Sequence, residues 1–345
     1  MRALVKYEDG YGKLRLEEIK EPMPGECEVR IKVEYAGICG TDLHIYNGAG
    51  YNFAPPVVLG HELSGVVDLI GRNASRELAG KRVASETYYF TCGSCHYCRT
   101  GRYNLCLGRK SIGSLANGAF AEYVVVPEKN IHILPDDVGL KEAVITEPLA
   151  CCCQAVFEST HLVPGDRVLI TGPGPIGLLC LQLVKSAGCL CAVVGTRKDE
   201  ERLLIAESLG ADQIFYADDT QILDDMLAFC NGLGFAHTFE CSGHEAAVHL
   251  CLQAIKKGGT HVQIGLTENN IRFDLNTVIL KEITIHGSFA QKWVWWEKAL
   301  ALLSLGAIRT DVLIDCYPLD KWEEAFTNSL QGKGIKHILT DLGNC

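Results

Sequence analysis

Four cysteines in this 345-residue chain, Cys92, Cys95, Cys98 and Cys106, follow the pattern C-x2-C-x2-C-x7-C. Four thiolates on one short, glycine-containing loop can close a tetrahedral shell around zinc with no position left open, the make-up of a structural site. Four unrelated core thiols would suit the polar neighbours His96 and Arg99 poorly, and an iron–sulfur cluster is the other metal reading. A second constellation offers different chemistry: Gly37-Ile38-Cys39-Gly40-Thr41-Asp42-Leu43-His44, with Gly60-His61-Glu62 a little further on. Cys39, His61 and Glu62 supply three ligand types, which suits a catalytic zinc that keeps a position for water or substrate. Asp42 is placed to orient His61 from behind. Thr41 and His44 are near enough to Cys39 in sequence to pass a proton from a bound alcohol toward solvent. A histidine followed by a glutamate usually means nothing alone; here the combination carries the reading.

The third pattern is Gly172-Pro173-Gly174-Pro175-Ile176-Gly177, a G-x-G-x-x-G. Glycine and proline often mark no more than a turn. This one directly follows an apolar strand pattern at 167–170 and opens a helical one, the context of a dinucleotide site whose pyrophosphate sits on the helix N-terminus. A site that prefers NAD usually carries an acidic residue roughly twenty positions on. That stretch here reads Val193-Val194-Gly195-Thr196-Arg197-Lys198, without a carboxylate.

The elements that must hold these motifs divide the chain in two. Residues 1–150 read as short strands with frequent turns: 28–33 alternates polar and apolar, and short apolar runs recur at 63–70 and 122–126. That is an all-β, barrel-like pattern. From about Gly165 strands alternate with helices: strand 167–170, helix 176–187, strand 190–194, helix 200–209, strand 213–216. Further strands follow at 238–240, 261–265 and 283–286, which implies a parallel, doubly wound sheet. A helix at 293–305 and short strands complete the chain. The expected domains are 1–150, completed by about 288–345, and 151–287.

Composition narrows the class. Hydrophobic residues at 48% and charged residues at 21% suit a globular enzyme. No run of eighteen apolar residues is present, so no membrane span is expected. Residues 1–7 lack the apolar core of a signal peptide, which leads us to expect a cytoplasmic protein. A net charge of −10, from 32 basic against 42 acidic residues, argues against a nucleic-acid surface. The seventeen cysteines are odd in number and three are consecutive (151–153), which suits reduced thiols better than disulfides. Cys27, Cys180, Cys189, Cys191, Cys230, Cys251 and Cys316 sit among apolar neighbours and are expected as small buried hydrophobes.

With these motifs in this order, the chain resembles the zinc-containing medium-chain dehydrogenase/reductase family, and within it the polyol (sorbitol) and threonine dehydrogenase branch. The resemblance spans essentially the whole chain. It also takes in Gly118-Ala119-Phe120-Ala121-Glu122-Tyr123, Glu147-Pro148 and Glu240-Cys241-Ser242-Gly243. It implies an α/β fold: a GroES-like β-barrel catalytic domain wrapped around a Rossmann domain, with the active site in the cleft between them. The implied reaction is hydride transfer from a secondary alcohol to nicotinamide while zinc polarises the alcohol oxygen.

Carried over by position, the resemblance makes Cys39, His61 and Glu62 ligands of the catalytic zinc. Glu147 falls where the polyol branch has a glutamate that reaches the metal directly or through water. Thr41 and His44 match the proton relay, and the run Cys151 to Cys153 just after Glu147, in a helix-like apolar setting, reads as core packing rather than as an alternative ligand. The implied cofactor-binding positions are Gly172, Gly174, Pro175, Ile176, Gly177, Thr196, Arg197 and Gly265. Two zinc ions per chain and NAD(P) are the implied complement. Arg197 stands where the polyol branch is acidic, which favours NADP, because a 2′-phosphate then meets a cation; otherwise Arg197 is an exposed cation ahead of the next helix. The implied substrate is a polyol or amino alcohol: a sugar alcohol, a phosphorylated polyol, an inositol-like ring or threonine. Segments 46–53 and 287–293 are expected at its pocket, and Trp293, Trp295 and Trp296 there or in packing and interfaces. A homodimer or homotetramer is implied. A zinc-free quinone-type reductase and a non-enzymatic, crystallin-like role are the competing classes, and the complete ligand and relay set speaks against both.

Overall fold

The alternating segment expected at 28–33 forms a longer strand, Glu28–Gly37, in the computed structural model, which describes residues 1–48, 52–267 and 269–341. Val29, Ile31 and Val33 are buried and Lys32 is exposed. Arg30 breaks the alternation: it is buried because its guanidinium pairs with Asp68 at 2.7 Å and lies 4.3 Å over the Tyr123 ring. One edge of this strand pairs antiparallel with Glu62–Ile70. The other edge pairs with Tyr123–Pro127 at its start and with Lys336–Thr340 at Ala36 and Gly37. Three remote parts of the sequence therefore meet at Gly37. The full sheet has seven strands, and a three-stranded sheet accompanies it. Leu4, Ile31, Leu59, Leu63, Phe120 and Phe326 are among the side chains of one buried core, and each contributes about 1.5–3 kcal/mol relative to exposure. This β-rich unit comprises Met1–Glu147, Lys292–Gly306 and Leu313–Cys345.

The second unit comprises Pro148–Gln291 and Ala307–Val312. Its six strands run parallel in the order Gln213–Tyr216, Leu190–Gly195, Arg167–Thr171, Phe235–Glu240, Ile255–Gln263, Thr284–Gly287. In chain order that is 3-2-1-4-5-6, the doubly wound arrangement. The winding reverses between Arg167–Thr171 and Phe235–Glu240, and ligands bind at the carboxyl ends of such strands. The helix Pro175–Ser186 buries every residue from Gly177 to Val184, which accounts for its unbroken apolar pattern. Proline stands at its first position, where no amide hydrogen is needed.

Two cysteine expectations need correction. Cys180, Cys189, Cys191, Cys230 and Cys251 are buried free thiols, but Cys27 is exposed, at φ 55° in a turn ahead of Glu28–Gly37. Its immediate neighbours are the charged Glu26 and Glu28, and a turn between two carboxylates stays at the surface. Cys316 is disulfide-bonded rather than free; it lies half-buried on Ile314–Pro318, the outermost strand of its sheet. No helix among the described residues is long and apolar enough to cross a membrane.

Candidate functional site

Strand register assembles the candidate metal centre. Gly37 pairs with Glu62 across the Glu28–Gly37 and Glu62–Ile70 strands. Cys39, two residues past the end of the first strand, therefore arrives beside His61 and Glu62 at the start of the second. One donor atom from each of Cys39, His61 and Glu62 lies within 4.8 Å of the other two. Cys39 is also the N-cap of the helix Gly40–Asn47. Asp42, fully buried on that helix, accepts the Cys39 N–H at 2.9 Å with one oxygen and the Gly60 N–H at 3.2 Å with the other. One carboxylate thus fixes the backbone of both ligand-bearing segments. Its distance to His61 Nδ1 is 3.9 Å, too long for a hydrogen bond, so it acts on the imidazole through that backbone and through its charge.

Burial alone would lower the His61 pKa, but Cys39, Asp42 and Glu147 outweigh it and hold it well above the ordinary value. Burial likewise pushes Asp42 up, against the pull of His61. Both directions describe a secluded pocket rich in negative charge, the setting a cation completes. Glu147, buried at the start of the helix Thr146–Cys153, is close enough to influence His61 and Lys336 electrostatically. It is not in the mutually adjacent donor group. Thr41 and His44 are half-buried three positions apart on Gly40–Asn47, so they share a helix face. Of the pocket segment 46–53, residues 49–51 lie outside the described residues.

Lys336 escaped sequence reasoning. It is 3% exposed, its Nζ donates to the Ile38 carbonyl at 2.8 Å, and it forms an ion pair with Glu62 Oε2. The available signal was a single lysine inside the apolar run 335–339: a cation in a buried strand demands an anion.

The four cysteines also converge, with their sulfurs within 4.8 Å of one another. Cys92 Sγ accepts the Cys95 N–H at 3.3 Å, and Cys106 Sγ accepts the Cys92 N–H at 3.3 Å. The Cys95 and Ser94 N–H groups pull the Cys92 thiol down to about 6, so a thiolate is at hand near neutrality. Four sulfur donors are therefore gathered in one place.

In the parallel-sheet unit each glycine of the fingerprint has its own reason. Gly172 adopts φ 89°, and a Cβ there would lie 2.9 Å from Ser242 Cβ. A Cβ on Gly177 would strike the Gly172 carbonyl. Gly174, the N-cap of Pro175–Ser186, faces open space: a Cβ there would meet no atom within 4 Å, and no side chain caps that helix. Such an end presents amide hydrogens to an anion. Glu240, fully buried, accepts the Ser242 N–H at 2.7 Å, the Gly243 N–H at 2.9 Å and Gln263 Nε2 at 2.6 Å, and so ties the next loop to the cradle. Gly265 fits against Gly243 and Glu240, where a Cβ would collide.

Thr196 follows the strand Leu190–Gly195, held by Asp199, which accepts from its N–H at 2.9 Å and its hydroxyl at 2.7 Å. The Arg197 side chain is 62% exposed, pairs with Asp219 at 2.6 Å and lies 4.1 Å over the Tyr216 ring. Its N–H donates to Asp218 at 3.0 Å. The strand end carries no carboxylate of its own, as expected, but the loop after Gln213–Tyr216 supplies two.

Known proteins share this sequence pattern and fold. Residues 25–136 match the alcohol dehydrogenase GroES-like domain and residues 175–304 the zinc-binding dehydrogenase domain. The chain is 40% identical over 341 residues to D-arabitol-phosphate dehydrogenase of Enterococcus avium, covering 98% of this chain and 97% of that one. The chain belongs to the zinc-binding alcohol dehydrogenases. This dehydrogenase is also 40% identical over 347 residues to sorbitol dehydrogenase of Halalkalibacterium halodurans, with 99% and 100% coverage. A zinc-binding dehydrogenase of Sinorhizobium meliloti bound to NADP has the same fold, with a TM-score of 0.90 at 30% identity over 98% of each chain. The protein is therefore an oxidoreductase of the polyol- and threonine-dehydrogenase-like branch, with a GroES-like and a Rossmann domain.

Proposed function

We propose that this dehydrogenase oxidises a secondary alcohol of a polyol or phosphorylated polyol to the ketone, with zinc at Cys39, His61 and Glu62 and NAD(P) on the glycine cradle. What carries the reading is one thiol, one imidazole and one carboxylate gathered within 4.8 Å of one another in a secluded, negatively charged pocket. The likeness to D-arabitol-phosphate and sorbitol dehydrogenases supports the substrate class. Sulfur, nitrogen and oxygen donors from three positions fit a zinc that keeps a fourth place open. Bound there, zinc would supply a Lewis acid that eases loss of the alcohol proton, and the nicotinamide an acceptor for the hydride. Asp42 holds the two ligand segments in register. Thr41 and His44 carry the proton along one helix face toward solvent, and Glu147 at the margin holds water or a substrate hydroxyl. Cys92, Cys95, Cys98 and Cys106 hold a second, structural zinc.

Gly172, Gly174, Pro175, Ile176 and Gly177 receive the pyrophosphate, and Thr196, Arg197 and Gly265 the flanking parts of the cofactor. NADP is preferred in this reading. Arg197 exchanges Asp219 for the 2′-phosphate, since an exposed ion pair is weak and screened while a phosphate offers a charge-assisted pair. The β-rich unit is the catalytic domain and the parallel-sheet unit the cofactor domain. Two copies pair through the exposed outer strand Thr284–Gly287 and the exposed Leu275, Ile279 and Leu280, giving a homodimer or, doubled, a homotetramer. A cytoplasmic setting suits the buried free thiols. The test is a panel of sugar alcohols, their phosphates, inositols and L-threonine, each with NAD and NADP. Fastest turnover on a polyol or its phosphate supports the proposal; fastest turnover on threonine, or no turnover on any, contradicts it.

A further inference from the structure

Lys336 brings a positive charge against a carboxylate offered to a metal cation, and the fold makes room for it deliberately. Glu62 and Lys336 lie on the two strands that flank the end of Glu28–Gly37, and they meet across Gly37. A Cβ on Gly37 would collide with Glu62 Oε2 and stand 3.1 Å from Lys336 Cε, so only glycine lets the pair close. Glu62 is 1% exposed and Lys336 3%, and the lysine also holds the Ile38 carbonyl, one residue before Cys39. A buried ion pair is often replaceable by well-packed apolar side chains without loss of stability, so burial alone is a poor reason for this one. This one sits among Cys39, Glu62 and Glu147, where its charge opposes any cation the pocket takes up.

We propose that Lys336 is a positioning residue for the centre: it holds Glu62 by one oxygen and limits how tightly that carboxylate closes on the metal. The proposal rests on the reading that Cys39, His61 and Glu62 bind the ion. The consequence for the reaction is a metal whose carboxylate ligand yields readily, so the position facing the substrate stays exchangeable. Without the lysine, Glu62 gives its full charge to the ion, and binding strengthens at the expense of exchange. When the pocket is empty the lysine has a second effect, neutralising the buried Glu62 carboxylate.

Lys336→Gln removes the charge but keeps a donor toward Ile38 and Glu62, and Lys336→Arg keeps both. Each variant and the parent are stripped, refilled with Co2+, and titrated against a chelator while the visible spectrum is followed. Cobalt in the four-cysteine lobe, with four thiolates, absorbs differently from cobalt at the one-thiolate centre and serves as the internal control. Lys336→Gln is expected to bind Co2+ at the one-thiolate centre at least tenfold more tightly, with the lobe unchanged and Lys336→Arg close to the parent. Its metal-free form should melt earlier than the parent's, and metal should restore much of the difference; folding only when Co2+ is present is the same result in stronger form. Unchanged or weaker cobalt binding, equal loss of melting temperature with and without metal, or no folding under either condition would each overturn the proposal. Cys39→Ser run alongside separates the two ideas. If it keeps the one-thiolate cobalt spectrum, the metal reading itself fails, and Lys336 with it.

Discussion

In the proposed zinc site, replacing Cys39 by serine exchanges a soft anionic ligand for a poor neutral one, so Cys39→Ser is expected to lose turnover by several orders of magnitude while the fold persists. Far-ultraviolet circular dichroism beside steady-state kinetics checks both halves. His44→Ala should slow alcohol oxidation and leave the metal content unchanged, because His44 lies beyond the donor group formed by Cys39, His61 and Glu62; loss of zinc on this substitution would make it a ligand instead. Arg197→Asp should weaken NADP roughly ten- to hundredfold relative to NAD, the typical yield of one charge-assisted bond. Asp219→Asn should shift the ratio of kcat/KM the opposite way, since Arg197 would no longer have to leave a partner. If both ratios stay put, Arg197 does not read the 2′-phosphate. At this scale the four cysteines were legible as a group because they recur at short spacings, whereas Cys39, His61 and Glu62 are brought together by strand register. Lys336 was not legible, because its partner Glu62 is remote in sequence and only the strand register joins them. Asp219 escaped for a similar reason: it reaches Arg197 from the loop after the neighbouring strand.

Between residue and fold stand the turns and lobes that aim the site. Gly177→Ala forces a methyl into the Gly172 carbonyl and must reshape the turn proposed to receive the pyrophosphate. It is expected to raise KM for the cofactor at least tenfold while leaving zinc content intact, which cofactor titration and metal analysis would check. The four-cysteine lobe has a structural connection beyond its own shell. Tyr103, which lies between Cys98 and Cys106, donates to buried Glu86 at 3.0 Å and accepts the Trp293 N–H at 2.6 Å at the start of Trp293–Ser304. Glu86 also meets His132 at 3.4 Å, and His132 stacks on Trp296 at 5.1 Å. Cys95→Ala should therefore lower the melting temperature and loosen the start of that helix, an effect hydrogen exchange at Trp293 would register. The parallel strands were legible from their apolar runs, with ends misplaced by a few residues. The strand at 261–265 was the largest miss: it begins at Ile255, through Lys256, Lys257 and two glycines, which carry no strand signal. Of the two tryptophans beside His132, Trp296 is buried and Trp293 is 39% exposed.

The whole molecule joins a unit that carries the candidate metal ligands to one that carries the dinucleotide cradle, and this division was readable from the change of rhythm near Gly165. The chain order of motifs made the family legible too, because each lies where a strand end or a helix start can use it. What could not be read was burial that depends on strands brought together from far apart, as the buried Lys336 illustrates. The central claim is that a zinc ion held by Cys39, His61 and Glu62 activates a polyol hydroxyl. The measurement that bears on it most directly is zinc content and NAD(P)-linked polyol oxidation, taken together on the parent and on Cys39→Ser. The account predicts two zinc ions per chain in the parent and one in the variant, with turnover lost alongside the missing ion. Parent-like turnover in a variant that has lost that zinc would contradict it.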